Sequence, residues 1–206
     1  MTAGRASRVT GKTKATRPLS IANLHPGLRI DRRAISSVIA TLDAHADEFR
    51  SGCPPGELSL VFLTDAALAK LHADFLDDPT ITDVITFEGN AGEGIMGAEA
   101  VAGEICVSAD AARRQTTLPS SGSTGVSANA TTAAFSDELT LYLVHGWLHL
   151  AGYDDLVPAK KQIMRRAERR ALELLRARGA LPRFKLTSGN VVRTPKKIRA
   201  RSHRTV

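Results

Sequence analysis

Cysteine is scarce in this sequence. Among 206 residues there are two, Cys53 and Cys106, far apart and neither in a CxxC pair. A disulfide framework or a zinc knuckle needs paired or clustered cysteines, so neither is expected; buried thiols in a reducing compartment are. Long apolar runs are missing as well. Nowhere do 18 apolar residues follow one another, so no membrane-spanning helix is expected. The basic start is followed by no apolar stretch, and a secretory signal is therefore not expected, although its Ser, Thr and Ala content matches that of an organelle transit peptide. No internal repeat is visible.

Acidic residues are absent from both ends. Residues 1–18 carry Arg5, Arg8, Lys12, Lys14 and Arg17 without an acid, and residues 183–206 carry eight basic side chains without one. The remaining 15 basic residues face all 21 acidic ones, so the body is net acidic although the whole chain is +7. Basic ends poor in apolar residues cannot bury enough surface to offset the entropy of ordering. The expected division is a disordered basic extension over 1–18, a folded domain over 19–180 and a disordered basic tail over 181–206. Two meanings stand open for the ends: arms for a polyanion, above all RNA, or solubilising tails.

Within the body, patterning predicts an α+β fold: a small mixed sheet of about four strands packed with helices. Residues 19–24, 58–64 (LSLVFLT), 82–87 (TDVITF) and 101–108 (VAGEICVS) read as strands. Helices are expected over 31–49 with Asp31 as N-cap, 66–76 with Asp65 as N-cap, 110–116, 136–151 and 158–178. The Gly-rich stretch 89–97 reads as a hairpin loop, and 117–132, nearly free of charge and large apolar residues, as a flexible surface insertion. The last helix has one apolar face; the other carries Lys160, Lys161, Arg165, Arg166, Arg169, Arg170 and Arg176, beside the segment that follows.

That segment is HGWLHLAGYDD, residues 145–155. His145 and His149 lie four apart on a predicted helix, which puts both imidazoles on one face, suited to two ligands of one tetrahedral ion. Gly152 can end the helix, and the chain can bring Asp154 or Asp155 back as a third ligand. Three protein ligands and one open position is the pattern of a catalytic zinc. In the HExxH proteases the residue after the first His is the general base; here it is Gly146, which argues against a peptidase and allows close approach of another chain or of a substrate.

HGWLHLAGYDD resembles the HGxLHLxGYDH signature of the YbeY family, endoribonucleases of rRNA maturation. The likeness extends upstream: Thr82–Phe87 resembles the family's TDVLSF strand, the 103–108 segment GEICVS its GDIxIS strand, Glu138, Leu139 and Val144 its ELxxLxVHG helix, and Leu71 with His72 its LN pair, over roughly residues 19–178. The resemblance implies a zincin-like metal helix with one zinc per chain on His145, His149 and Asp155, cleavage of single-stranded RNA, and work in the cytoplasm on the 3′ end of small-subunit rRNA and in ribosome quality control. Ribosomal proteins and assembly GTPases are the further partners it implies. Three departures stand out. Asp155 replaces the family's third His, and Leu76 replaces an Arg suited to phosphate. The 117–132 stretch and the basic ends look like additions. No general base is identified; Asp154, Asp83 and His72 are candidates, each with a structural alternative, while Trp147 and Tyr153 are expected to pack. The competing readings are a non-catalytic ribosome-assembly factor that keeps the metal fold, and a metallohydrolase for another substrate.

Overall fold

The computed structural model describes residues 17–50, 52–90, 100–117 and 128–187, with Leu76, Ala128 and Asn129 as backbone alone. The expected loop at 89–97 and the expected insertion at 117–132 therefore fall largely outside the described residues, as do 1–16 and 188–206.

Four strands form the main sheet: β1 (Leu19–Asn23), β3 (Glu57–Leu63), β4 (Val84–Glu88) and β5 (Val101–Ser108), in the order β1-β3-β5-β4. β1, β3 and β5 run parallel, and β4 pairs antiparallel with β5. A short strand β2 (Leu28–Arg29) pairs antiparallel with β6 (Lys185–Leu186). The helices are α1 (Arg32–Ala44), α2 (Asp65–Leu76), α3 (Ala109–Thr117), α4 (Ala128–Leu150) and α5 (Pro158–Ala177). The period of two along each strand divides the interior. Leu58, Leu60 and Phe62 of β3 with Ile105 and Val107 of β5 join the main core, shared with α1, α4 and α5. Leu63 and Cys106 point the other way, into a smaller cluster with Leu68 of α2 and Ile85. The mixed α/β architecture and four-stranded mixed sheet are those expected.

Several boundaries differ from expectation, each for a local reason. Asp31 caps α1 as predicted, accepting from the backbone N–H groups of Arg33 and Ala34 at 2.9 and 3.2 Å. The helix stops at Ala44, and a short 3₁₀ turn over Ala46–Glu48 follows. The N-cap of α2 is Thr64, whose hydroxyl accepts from Ala67 N at 3.3 Å, and not Asp65. The Asp65 carboxylate is engaged by the Ser108 hydroxyl at 2.6 Å and by the Arg114 guanidinium. Helix α4 begins at Ala128, eight residues before the expected start at Ser136. Alanines of high helix propensity favour the extra turns, and Phe135 anchors them in the core.

The expected tail also begins too early. Residues 181–187 belong to the folded body: Phe184 is fully buried, 5.8 Å from the Phe62 ring, and its N–H donates to the Ser136 hydroxyl at 3.0 Å. The basic composition of this stretch hides one aromatic anchor. Arg17, counted with the basic start, likewise forms an ion pair with Asp43 at 2.5 Å.

Helix α4 is the element that places the site. Leu139, Leu143, Val144, Trp147 and Leu148 on it are all fully buried. Trp147 packs edge-on against Phe49, and its indole N–H donates to Asp43 at 3.1 Å, which bears out a packing role. Gly146 faces the sheet: a Cβ there would sit 2.5 Å from Ile105 Cγ2 and 3.1 Å from Thr86 Oγ1. The residue thus serves helix–sheet contact and not the approach of a second chain or substrate, which corrects that expectation.

Three outcomes follow. Phe184→Ala should lower unfolding free energy by about 3 kcal/mol in a denaturant titration; a loss below about 1 kcal/mol would mean residues 181–187 do not close the core. Gly146→Ala gains helix propensity yet should still destabilise by about 1 kcal/mol, because overpacking against a buried Ile105 outweighs it; a protein as stable as wild type would mean helix and sheet have room to part. Burial pushes the Cys53 thiol up to about 11 and the Cys106 thiol up to about 12. Both should therefore resist iodoacetamide at pH 8 until the chain is unfolded, as counted by mass spectrometry.

Candidate metal centre

Helix α4 carries His145 and His149 in its last turns and ends in a left-handed Gly152, φ +84°. The Gly152 N–H donates to His149 O at 2.8 Å and the Tyr153 N–H to Leu148 O at 3.0 Å, the paired closing bonds of a Schellman motif. Arg50 braces the turn from outside: its guanidinium donates to Gly152 O and lies 4.5 Å over the Tyr153 ring. Tyr153 is held at the turn as expected.

The turn settles which aspartate returns to the histidines. Asp154 is used up locally, accepting from Leu156 N at 2.8 Å and from Lys160 Nζ at 2.5 Å. Asp155 points to the histidines, with Oδ1 3.8 Å from His149 Nε2. One ligand atom from each of His145, His149 and Asp155 lies within 4.8 Å of the others, so the three can hold a metal ion.

The protonation of the imidazoles can be read from their outer bonds. His149 Nδ1 lies 3.1 Å from Tyr153 O, a carbonyl that only accepts, so this nitrogen carries the hydrogen. His145 Nδ1 lies 2.7 Å from Glu168 Oε1, and an ionised carboxylate requires the same tautomer. In the neutral rings both Nε2 atoms are then acceptors, and they lie 2.9 Å apart. Two neutral acceptors at that distance repel unless a proton or a cation lies between them. Burial, with the neighbouring His145, holds the His149 pKa below the usual histidine value, which favours the neutral, ligating form. Ligand atoms on one tetrahedral zinc sit about 3.3 Å apart, given Zn–N near 2.0 Å. The observed 2.9 and 3.8 Å separations bracket that figure, so the donor set fits such an ion.

A cavity of about 340 Å³ opens beside the cluster, and His145, Asp155, Glu168, Glu138, Asp83 and Tyr142 line it. Glu138 and Tyr142 lie seven and three residues before His145, on the same face of α4. Burial, together with the charges of Asp83 and Glu168, holds the Glu138 carboxyl above the usual carboxylate range; a hydrogen bond with Tyr142 opposes this. Lys161, Met164 and Arg165 of α5 close the other wall. A second depression of about 470 Å³ shares Asp83 and Tyr142 with the first and continues past Arg114 and Gln115.

Of the base candidates named from sequence, Asp83 lines the cavity, while Asp154 does not. His72 is occupied elsewhere: its Nδ1 lies 2.9 Å from Thr80 O and its Nε2 3.9 Å from Asp78. Glu168, Glu138, Lys161 and Arg165 were not singled out as site residues. The signals existed: Glu138 is in helical register with His145, and Glu168 borders the buried Met164–Ala167–Ala171 stripe of an otherwise basic helix.

The family model for the endoribonuclease YbeY matches residues 21–176. Curated relatives of that name include one from Chlamydia muridarum, 37% identical over 61% of this chain and 70% of its own length. Another, from Salinibacter ruber, is 34% identical over 73% of this chain and 87% of its own. A third, from Porphyromonas gingivalis, is 32% identical over 72% and 83%. A solution structure of a Thermotoga maritima protein aligns with a TM-score of 0.45 and 20% identity, over 79% of this chain and 94% of that one. By the extent of the family match and the coverage of these relatives, the chain belongs to the endoribonuclease YbeY family.

Proposed function

We propose that this protein is a zinc-dependent endoribonuclease that cuts single-stranded RNA, acting in the cytoplasm on the 3′ end of small-subunit rRNA, with His145, His149 and Asp155 as its metal ligands. The observation that carries the reading is the two Nε2 atoms 2.9 Å apart beside the Asp155 carboxylate, with both Nδ1 atoms already partnered. Family membership supports the RNA-cleaving activity and the rRNA role. No helix among the described residues is long and apolar enough to cross a membrane.

The chemistry a bound ion supplies is neutralisation of charge developing on a phosphate oxygen and acidification of an attacking hydroxyl. The chain's own residues do the rest. Glu168 keeps His145 in the ligating tautomer and adds basicity to it. Tyr153 O does the same for His149. Asp155 adds a negative charge, which strengthens hold on the ion and weakens its electrophilic effect relative to a third imidazole. Glu138, held above the usual carboxylate range in the same cavity, is suited to accept a proton from water or from a ribose 2′-hydroxyl.

The test joins metal analysis to cleavage. Wild type is expected to carry about one zinc per chain, by the three-ligand pattern. It should cut a single-stranded RNA in a chelator-sensitive way. His149→Ala at equal folded concentration should lose roughly 100-fold or more in rate, the loss of several kcal/mol of charge stabilisation. Asp155→Ala should lose metal and Asp155→His retain it. Equal cutting by wild type and His149→Ala would refute the site, and RNA binding without metal-dependent cleavage would favour a ribosome-assembly role.

A further inference from the structure

The cavity beside the histidines is rich in carboxylates: Asp83, Glu138, Asp155 and Glu168 all line it. A phosphodiester entering there meets repulsion unless cations stand close by. Helix α5 provides them. Lys161, Arg165 and Glu168 are spaced i, i+4, i+7, a single stripe along the helix, and Glu168 at its end bonds to His145. Lys161 and Arg165 therefore stand two turns and one turn along that stripe from the group that holds the first ligand, and both line the cavity.

Neither charge has an ion-pair partner among the described residues. Lys160 pairs with Asp154, Arg170 with Glu48 and Arg176 with Asp137, all on the same helix. Among the described residues no carboxylate lies within 4.0 Å of the Lys161 or Arg165 cationic groups. Both line the cavity that the four carboxylates share, whereas Arg166 and Arg169 on the same helix do not.

We infer that Lys161 and Arg165 form a phosphate-binding wall that holds the backbone of a single-stranded RNA against the histidine cluster. The inference rests on the proposed reading of the cavity as an RNA-cleaving site. Arg165 presents a planar fork of donors to phosphate oxygens, and Lys161 a compact charge one turn away. Their role is positioning: they hold the strand and leave the reacting atoms to the ligand cluster.

The experiment uses the full chain and a fluorescent single-stranded RNA blocked against cleavage by 2′-O-methylation. Binding is followed by anisotropy in chelator across a salt series, so the readout does not depend on the metal or on turnover. The Lys161→Ala/Arg165→Ala double variant is compared with Arg166→Ala/Arg169→Ala, which removes the same charge from exposed positions outside the cavity. All four side chains are exposed, so neither variant should unfold the chain. The first should bind roughly tenfold or more weakly and lose about 1.4 from the slope of log affinity against log salt, two contacts at about 0.7 each for a single strand. The second should stay near wild type. Equal losses in the two variants would overturn the inference and reduce the effect to overall charge. Cleavage of an unmodified strand with zinc then separates the two conclusions. If wild type cuts and the double variants match each other, the wall is refuted and the nuclease stands. If wild type does not cut but only Lys161→Ala/Arg165→Ala binds weakly, the wall stands and the nuclease reading falls.

Discussion

Helix α4 must lie flat on the sheet and still leave His145 on the wall of a cavity with His149 beside it. The contact between Gly146 and Ile105 sets how closely the helix approaches, and Trp147 and Leu148 seal it on the far sides. Dispersion and apolar burial both reward that closeness, at about 25 cal/mol per Å² of apolar surface. The histidines sit at the boundary of this packing, half-buried, because the helix rotation that buries residues 143, 144, 147 and 148 leaves 145 and 149 on the open flank. The position of the site is thus a consequence of core packing. Any change that lifts α4 from β5 moves the two histidines as well as the core.

Position alone does not make a ligand; the lone pair must also be on the right nitrogen. Here the outer bonds come from two different kinds of structure. The partner of His149 is the carbonyl of Tyr153, available only because Gly152 adopts a left-handed conformation and turns the chain back. The partner of His145 is Glu168, delivered by α5 packing its Met164–Ala171 stripe against α4. A helix end and a helix–helix interface each hold one ring. The cluster is therefore assembled only in the folded chain, and a lone HxxxH helix would lack both constraints.

Much of this was legible in the amino-acid sequence. The period of two in LSLVFLT and VAGEICVS marked β3 and β5, and HGWLHLAGYDD marked the candidate ligands together with the left-handed glycine, because each signal is local and periodic. What stayed hidden depended on distant partners. Phe184 lay in a stretch that reads as a basic tail, and only its contacts with Phe62 and Ser136 reveal it as core. Spacing left Asp154 and Asp155 both open and the resemblance pointed to Asp155; the turn geometry supplies the physical reason, since Lys160 and Leu156 N claim Asp154. Glu168 was masked by the arginines around it, and its value lies in a side chain 23 residues away. Thr64 displaced Asp65 as a cap because Ser108 and Arg114, far along the chain, compete for that carboxylate.

The charge balance of the cavity links the ligand set to the basic helix. With two neutral imidazoles and one carboxylate, a divalent ion keeps a formal charge of about +1, where three imidazoles would leave about +2. Asp83, Glu138 and Glu168 add further negative potential around it. A polyanionic strand would then approach a site whose metal attracts it less than a three-histidine site would, and in a partly enclosed cavity of reduced effective dielectric such differences amount to more than they do in bulk water. Cations placed on the cavity wall, and not on the ion itself, restore the attraction without raising the electrophilicity at the metal. Lys161 and Arg165 stand where that restoration has to act. On the proposed reading, strand capture and bond cleavage fall to different helices: α5 would supply the field that draws the backbone in, and α4 with its turn the ligands of the ion that acts on it.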